Sequence, residues 1–300
     1  MKLGIIYAGQ GSQVVGMGKS FYPREIFDQN EDLKELCFNG PLEKLSYTPY
    51  TQPCMVMVAT IITDLLKEHG IVPDYTAGLS LGEYSALYCA GVFERKQVID
   101  LARFRGKVKQ EAVSGIESEM IAVLGMKEEL LQDLCHQASS LGVVSISNYN
   151  CPGQLVVAGE KKAVENVKEL ALENKARRVI SLNTSGPFHT SLLKEASLAL
   201  KERFKKETFH EMKIPVIFNT LGHEIEDQSI PEILEKQVMS PVYFEKSIRY
   251  MIDQGVDTII EVGPGKVLSG FVRKIDRSIQ LYQIEDMESL KKTVKALKGE

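Results

Sequence analysis

Ser80 is the residue with the strongest case for chemistry, because it stands in a Gly-x-Ser-x-Gly pattern with Gly78 and Gly82. A short apolar segment, 75–77, precedes the pattern, and a helical pattern follows over 83–89. Strand, sharp turn and helix are the context of a nucleophile elbow. The serine oxygen then projects at a helix N-terminus, where free amides stabilise an oxyanion. The sequence predicts a nucleophilic serine, and a glycine-rich turn that opens an ordinary helix is the alternative.

A nucleophilic serine needs a base, and His189 is the best candidate among the five histidines. It stands where the irregular segment 185–190 turns into a predicted helix, a position that suits a functional side chain. The only aspartates between Ser80 and His189 are Asp100 and Asp133, and both fall inside predicted helices. We therefore predict a Ser–His dyad whose imidazole is oriented by a backbone carbonyl or amide, and which forms an acyl-enzyme.

Arg105 falls on the apolar stripe of a strongly amphipathic helix predicted over 94–112. A buried arginine needs a partner, because burying a lone charge is costly. An internal salt bridge, or a guanidinium that reaches the surface, is the structural interpretation. In the functional interpretation, the guanidinium of Arg105 binds a carboxylate of the substrate with two parallel hydrogen bonds. The residues alone leave both open.

The glycine cluster 9–13 directly follows a predicted buried strand over 2–8, a placement that brings backbone amides close to a ligand. A dinucleotide site requires a third glycine where this chain has Val14 and a second strand that ends in an acid about twenty residues on, so the sequence argues against that function. A flexible loop is the remaining alternative.

The remaining pattern predicts an α/β fold with an insertion. From about residue 119 the order becomes β-α-β-β-α-β, with strands at 120–124, 143–147, 154–158 and 177–182. This order is typical of a ferredoxin-like unit. We predict an α/β-hydrolase-like core with a parallel sheet, formed by residues 1–118 and 187–300, and an inserted ferredoxin-like subdomain formed by residues 119–186.

Composition narrows the classes of function. The chain has 300 residues, 44% of them hydrophobic, and a net charge of −4, which gives no general attraction to nucleic acid. No apolar run has the length of a membrane span, and no metal-ligand spacing occurs among the five scattered cysteines. We expect a cytoplasmic monomer with reduced cysteines and without a metal, cofactor, membrane or nucleic acid.

Several motifs in order resemble the malonyl-CoA:acyl-carrier-protein transacylases of bacterial fatty-acid synthesis. They are Gly9-Gln-Gly-Ser-Gln13, Gly78-Leu-Ser-Leu-Gly-Glu-Tyr-Ser-Ala-Leu87, Arg105-Gly-Lys, Asn148-Tyr-Asn-Cys-Pro-Gly-Gln154, Pro187-Phe-His189, Gln237-x-x-x-Pro-Val242 and Glu261-Val-Gly-Pro-Gly-Lys266. The resemblance covers nearly the whole chain. It implies malonyl-CoA and acyl carrier protein as substrates.

The resemblance also implies a role for each site residue. Ser80 is the nucleophile, His189 is its base, and Arg105 binds the free carboxylate of the malonyl group. The amides of Gln10 and Leu81 form the oxyanion hole, and the carbonyl of Gln237 orients the histidine.

This chain departs from the family pattern at Leu79, where histidine is usual, and at Ala8, where proline is common. Segment 115–120 is more acidic than usual. Phe188 makes the pocket beside the base bulky, which favours malonyl over methylmalonyl groups.

Three alternatives remain. They are the acyltransferase of a polyketide or malonate decarboxylase system, a serine thioesterase or esterase, and a non-catalytic docking protein for an acyl carrier. Basic candidates for docking an acidic carrier are Lys161, Lys162, Arg177, Arg178 and Lys194.

Overall fold

Two sheets, one parallel and one antiparallel, organise the chain in the computed structural model, which describes residues 1–299. The strands in this range are β1 (Leu3–Tyr7), β2 (Tyr75–Gly78), β3 (Ser118–Leu124), β4 (Val144–Cys151), β5 (Gln154–Glu160), β6 (Arg178–Ser181), β7 (Val216–Ile217), β8 (Thr258–Val262) and β9 (Gln280–Ile284). The α-helices are α1 (Glu25–Asp28), α2 (Glu31–Asn39), α3 (Leu42–Leu45), α4 (Thr48–Glu68), α5 (Gly82–Cys89), α6 (Arg95–Ala112), α7 (Glu128–Ala138), α8 (Lys161–Glu173), α9 (Lys194–Phe204), α10 (Ile230–Gln237), α11 (Phe244–Asp253), α12 (Val267–Ile275) and α13 (Met287–Lys298).

The parallel sheet has the strand order β7-β2-β1-β8-β9, with β1 at its centre. Alternate residues of β1 enter different cores: Ile5 packs in the cluster that contains α4 and α6, and Ile6 packs with α11 and α12. Helices therefore cover both faces, which explains why β1 and β8 read as continuous apolar runs. The carboxyl ends of β1 and β2 lie at one edge, and the loops that follow them meet there.

The antiparallel sheet has the order β4-β5-β3-β6 and is built from the segment between α6 and α9. Helices α7 and α8 lie on one face and share a separate apolar core with the strands. The opposite face packs in the main core of the chain through Met120, Ala122, Val156 and Ala158. At β4, Asn148 bridges to Val242, and the Tyr149 N–H donates to the Val242 carbonyl at 2.9 Å.

A mixed α/β fold with one parallel sheet is confirmed, and the strands predicted within the insertion are present. Some predictions at its connections were wrong. Residues 148–151 were expected to link two strands, but they extend β4, where register shifts after Ile146 and Tyr149 accommodate the irregular sequence. The predicted helix at 191 starts as a 3-10 turn, Ser191–Leu193, before α9.

Several elements went unpredicted. Strand β9 is an edge strand, with three of its five residues only half-buried, so its sequence lacks an apolar run. Helices α1 and α3 have four residues each and α2 has nine, whereas α10 to α12 were missed although each carries an apolar stripe. The sequence also predicts a basic polar helix after Ser289, and α13 lies there with one face against the core, because Leu290 and Val294 are buried.

All five cysteines are buried and unbonded. In residues 1–299, no helix is both long enough and apolar enough to traverse a lipid bilayer.

Candidate active site

Ser80 lies in the turn between β2 and α5, with a left-handed backbone φ of 53°. The flanking glycines are needed for close approach. A Cβ on Gly78 would lie 2.0 Å from the Gly82 carbonyl carbon, and a Cβ on Gly82 would lie 2.2 Å from the Tyr7 carbonyl oxygen. Asn219 fixes the turn, because its Oδ1 accepts from the Ser80 N–H at 2.6 Å. Its Nδ2 donates to the Gly78 carbonyl at 2.6 Å.

His189 is hydrogen-bonded to Ser80, with 2.7 Å between Nε2 and Oγ. Its Nδ1 lies 2.9 Å from the Gln237 carbonyl oxygen and 3.1 Å from the Ser240 carbonyl oxygen. Both carbonyls only accept, so Nδ1 carries the proton of the neutral ring, and Nε2 is free to accept from the serine.

The imidazole of His189 stays neutral over a wide pH range. Burial lowers the pKa of His189 to about 3, and the nearby charges of Lys109 and Arg105 contribute to the lowering. The hydrogen bonds to the Gln237 and Ser240 carbonyls oppose this shift without overcoming it. A ring that is neutral at pH 7 is in the protonation state that a general base requires.

Arg105 is fully buried beside this pair. Its Nη1 donates to Gln52 Oε1 at 2.9 Å, and its Nη2 donates to Gln237 Oε1 at 2.8 Å and to Ser80 Oγ at 3.3 Å. Burial lowers the pKa of Arg105, and the Tyr84 ring, 5.3 Å from the guanidinium carbon, opposes the shift. Within residues 1–299 no carboxylate lies within 4.0 Å of the guanidinium, so its partners are neutral oxygens. The internal salt bridge considered for Arg105 is therefore absent from the described part of the chain.

The loop after β1 lies against the elbow. A Cβ on Gly9 would lie 2.5 Å from the Leu79 carbonyl oxygen, so the loop backbone passes close to the turn. The backbone N–H groups of Gln10 and Leu81 donate to no acceptor within the described 299 residues. Two unused donors next to a serine oxygen are what an oxyanion hole requires.

The structure thus brings all six predicted site residues into one cluster. Gln52, a residue without a sequence signal inside α4, links two of them: its Nε2 donates to Gln10 Oε1 at 3.3 Å, and its Oε1 accepts from Arg105. The Gln237 side chain was also unforeseen, since only its carbonyl had a predicted role. Its Nε2 donates to the Ser80 carbonyl at 2.8 Å and to Glu83 Oε1 at 3.2 Å.

Glu83 is a buried carboxyl group behind the elbow, one further residue that sequence reasoning gave no role. Its Oε2 accepts from the Asn219 N–H at 2.5 Å. Burial raises the pKa of Glu83 to about 8, against the lowering effects of Asn219, Arg105 and Gln237. The only signal that pointed to it was its position directly after Gly82.

The departures from the family pattern lie around this cluster. Leu79 is partly buried and packs in the core that contains α11 and α12. The Ala8 Cβ lies 2.8 Å from the place that a Cβ on Gly263 would take, so Gly263 has no room for a side chain. Phe188 is buried, and its ring lies beneath the Lys109 Nζ at 3.8 Å.

A parallel α/β sheet with a hydrogen-bonded serine and histidine at its strand ends is typical of enzymes that transfer acyl groups. Residues 5–295 match the family described as "Acyl transferase domain". The chain belongs to this family and is an acyltransferase.

Three proteins are similar to this chain over its whole length. The malonyl CoA-acyl carrier protein transacylase of Bacillus subtilis is 40% identical over 100% of this chain and 98% of its own length. The crystal structure of the enzyme of that name from Clostridium perfringens has a TM-score of 0.95 at 40% identity and covers 100% of this chain and 98% of that one. A malonyl-transacylase in complex with a type II PKS acyl-carrier protein has a TM-score of 0.94 at 34% identity, with 100% of both chains covered.

Proposed function

We propose that this chain transfers the malonyl group from malonyl-CoA to the phosphopantetheine thiol of acyl carrier protein, through a malonyl-serine intermediate, and so supplies fatty-acid synthesis. The observation that carries the proposal is the buried guanidinium of Arg105, which contacts Ser80 and lacks a carboxylate partner in the described residues. A buried cation beside a nucleophile is a site for an acyl group that brings its own carboxylate. The full-length similarity to malonyl CoA-acyl carrier protein transacylases supports the same substrates.

The first half-reaction forms the acyl-enzyme. Ser80 Oγ attacks the thioester carbonyl carbon while His189 Nε2 takes the hydroxyl proton. The carbonyl oxygen becomes an oxyanion, and the free amides of Gln10 and Leu81 stabilise it. The carbon–sulfur bond then breaks, and the CoA sulfur leaves with the proton from His189.

The second half-reaction reverses these roles. The carrier thiol gives its proton to His189, and its sulfur attacks the acyl carbon of the serine ester. The carbon–oxygen bond breaks, and Ser80 Oγ recovers the proton from Nε2. The Gln237 and Ser240 carbonyls hold Nδ1 and stabilise the imidazolium in both steps, in place of a carboxylate.

Arg105 selects the acyl group. Its contact to Ser80 Oγ is the longest of its three hydrogen bonds, at 3.3 Å, and is the one that a substrate carboxylate replaces. Gln52 and Gln237 keep the guanidinium in place when this happens. The buried ring of Phe188 beside His189 leaves little room for a branch on the acyl group, which favours malonyl over methylmalonyl.

A polyketide carrier protein is the second candidate for the acceptor. One similar structure is a malonyl-transacylase bound to a type II PKS acyl-carrier protein. The chemistry at Ser80 is the same for both carriers, so transfer rates to each carrier decide between them.

Intact-mass spectrometry tests the proposal. Malonyl-CoA should add one malonyl group to the wild-type protein, and phosphopantetheinylated carrier protein should remove it. Ser80→Ala should abolish the adduct, and His189→Ala should slow its formation by about 10²–10⁴-fold, the usual worth of a general base. Malonylation of Ser80→Ala at another residue would refute the assignment of the nucleophile. Loss of the adduct to water as fast without carrier as with it would indicate a thioesterase instead, and absence of any adduct would indicate a docking protein.

We propose two subdomains: an α/β-hydrolase-like core of residues 1–118 and 187–300, and a ferredoxin-like insertion of residues 119–186. The strand order β4-β5-β3-β6, with α7 and α8 on one face, supports the insertion. Because one chain supplies the whole cluster, we also propose a monomer. Five buried, unbonded cysteines fit a reducing compartment such as the cytoplasm, and a net charge of −4 fits a protein without a nucleic-acid partner.

A further inference from the structure

Lys109 is a buried lysine that the mechanism above does not use. Only 2% of its surface is exposed, and its Nζ lies 3.8 Å from the centre of the Phe188 ring. Across residues 1–299, this Nζ forms neither a salt bridge nor a hydrogen bond. The Arg105 Nε is completely shielded from solvent, whereas the Lys109 Nζ keeps a small exposed area. Buried lysines are rare unless they are paired, so an amine in this position indicates a missing partner.

The position of Lys109 places it at the acyl pocket. It follows Arg105 by four residues on α6, so both side chains leave the same face of the helix. Its aromatic partner, Phe188, directly precedes His189, and its charge and that of Arg105 both act on the imidazole. The amine therefore lies near the guanidinium and the imidazole, on the side of α6 that faces Ser80.

Few anionic groups surround the Lys109 amine in the free protein. Burial lowers the pKa of Lys109 well below its ordinary value, and the Arg105 charge lowers it further. Helix α6 packs against α4, α5, α9 and the 3-10 turn before α9. The charged or titratable groups of these elements include His189 before that turn and, on α5, Glu83, which reaches Arg105 through Gln237, and Tyr84, whose ring lies against Arg105. Asp64 of α4 pairs with Arg95 at the other end of α6, Arg203 of α9 lies over the ring of Phe104, and Lys194 and Glu195 of α9 are exposed.

We infer that Lys109 is a second cation of the subsite for the free carboxylate of the acyl group, an inference that rests on the proposed function. A malonyl carboxylate paired with Arg105 brings a negative charge into the space that the amine borders. Lys109 donates to that carboxylate, which strengthens recognition by a charge-assisted hydrogen bond. An acetyl group brings no charge, so it gains nothing from Lys109. Lys109 is then a specificity-determining residue.

Selectivity tests the inference. Lys109→Met removes the amine and retains an unbranched apolar chain over Phe188. Lys107→Met is the matched control, because Lys107 lies on the same helix with 67% of its side chain exposed. We expect Lys109→Met to lower the malonyl-to-acetyl ratio of kcat/KM about 10- to 100-fold, mainly through KM for malonyl-CoA, as for loss of a charge-assisted contact. Lys109→Arg should retain most of the ratio, and Lys107→Met should leave it unchanged.

Binding affinity gives an independent measurement. Ser80→Ala protein, which binds malonyl-CoA without reacting, is titrated calorimetrically with malonyl-CoA and with acetyl-CoA. We expect Lys109→Met in this background to weaken binding of malonyl-CoA about 10- to 100-fold and to leave binding of acetyl-CoA unchanged, because only malonyl brings a carboxylate to the amine.

The outcomes are distinguishable. A malonyl-to-acetyl ratio within twofold of wild type in folded Lys109→Met would overturn the inference and leave the proposed function intact. If Lys109→Met does not fold, Lys109→Gln replaces it, and a malonyl-to-acetyl ratio within twofold of wild type in that variant overturns the inference. Failure of the wild-type protein to transfer malonyl overturns the proposed function and the inference together.

Discussion

Arg105 carries a positive charge into a site whose described neighbours are neutral. Its hydrogen bonds to Gln52 and Gln237 orient the fork but do not compensate its charge. A ligand that brings a carboxylate supplies the missing compensation, which is the basis of the selectivity that we propose for this residue.

Arg105→Ala should therefore change selectivity more than overall activity. We expect malonyl transfer to lose several kcal/mol of transition-state stabilisation, about 3–5 kcal/mol for a buried pair that loses one partner. Acetyl transfer should be unchanged or faster, since no unpaired charge remains. The measurement is the ratio of kcat/KM for the two substrates, because misfolding lowers both together.

Arg103→Ala is the matched control for Arg105→Ala. Arg103 lies on the same helix and pairs with Asp32 at the surface, so its loss should leave the ratio unchanged. Equal losses of malonyl and acetyl transfer in a folded Arg105→Ala protein would make Arg105 a structural residue.

In the proposed mechanism, His189 is the base and sets the acid limit of the reaction. The base works only when it is neutral, and a pKa of about 3 keeps it neutral as pH falls through 6.5. We expect the rate of acyl-enzyme formation, measured by quenched-flow mass spectrometry, to show no break between pH 7 and pH 5. Circular dichroism at each pH establishes that the protein remains folded. A break near the ordinary histidine pKa of about 6.5 would contradict the buried, neutral imidazole.

The turn between β2 and α5 requires glycine at positions 78 and 82. Strand β1, strand β2 and helix α5 approach so closely that two positions have no room for a side chain. Asn219 follows β7, and its side chain is hydrogen-bonded to the Ser80 N–H and to the Gly78 carbonyl. These two backbone groups have no backbone partner in the turn. The left-handed φ of Ser80 is thus held by contacts from three separate elements.

Gly82→Ala should disrupt this element. Its Cβ would lie 2.2 Å from the Tyr7 carbonyl oxygen, a backbone atom that cannot move without shifting the central strand. We expect a loss of about 3 kcal/mol of unfolding free energy, the upper range for overpacking, together with loss of acyl-enzyme formation. Denaturant unfolding and intact mass measure the two effects.

Gly270→Ala is the control for the same substitution in a helix. Gly270 lies in α12 with nothing within 4 Å of an added Cβ, so we expect a gain of about 0.4–1 kcal/mol. Wild-type stability and activity in Gly82→Ala would show that the turn tolerates a Cβ.

At the scale of the whole molecule, the net charge of −4 opposes approach of an acidic carrier, so docking requires a local basic patch. The predicted candidates Lys161, Lys162, Arg177, Arg178 and Lys194 are all exposed. Arg177 and Arg178 lie at β6, on the edge of the antiparallel sheet.

If the carrier docks on this patch, its KM should rise with salt, while KM for malonyl-CoA changes less. Reversing the charges of Arg177 and Arg178 should raise the KM for carrier about two- to tenfold, from surface pairs worth 0.2–1 kcal/mol each. Reversing the exposed Lys291 and Lys292 of α13 is the matched control and should have little effect. Equal salt dependence for both substrates would eliminate an electrostatic docking patch.

The local chain determined a large part of this protein. The glycine spacing around Ser80, the apolar strand before it and the amphipathic helix that carries Arg105 are short-range patterns, and each predicted the element that the structure contains. The order of strands and helices in the insertion was likewise visible, because alternation and helical period are local properties. Edge strand β9 was not visible, because a half-buried strand carries little apolar pattern.

Only the tertiary structure decided which groups meet. The sequence allowed either an internal salt bridge of Arg105 or a guanidinium without a charged partner. The fold decided which residues surround it, because Gln52 and Gln237 accept its hydrogen bonds. Gln52 comes from a helix 53 residues away in sequence, and Gln237 from one 132 residues away. The burial that lowers the pKa of His189 and leaves Lys109 without a partner also depends on packing between distant elements. Desolvation and hydrogen-bond partners are properties of three-dimensional surroundings, so no local pattern contains them.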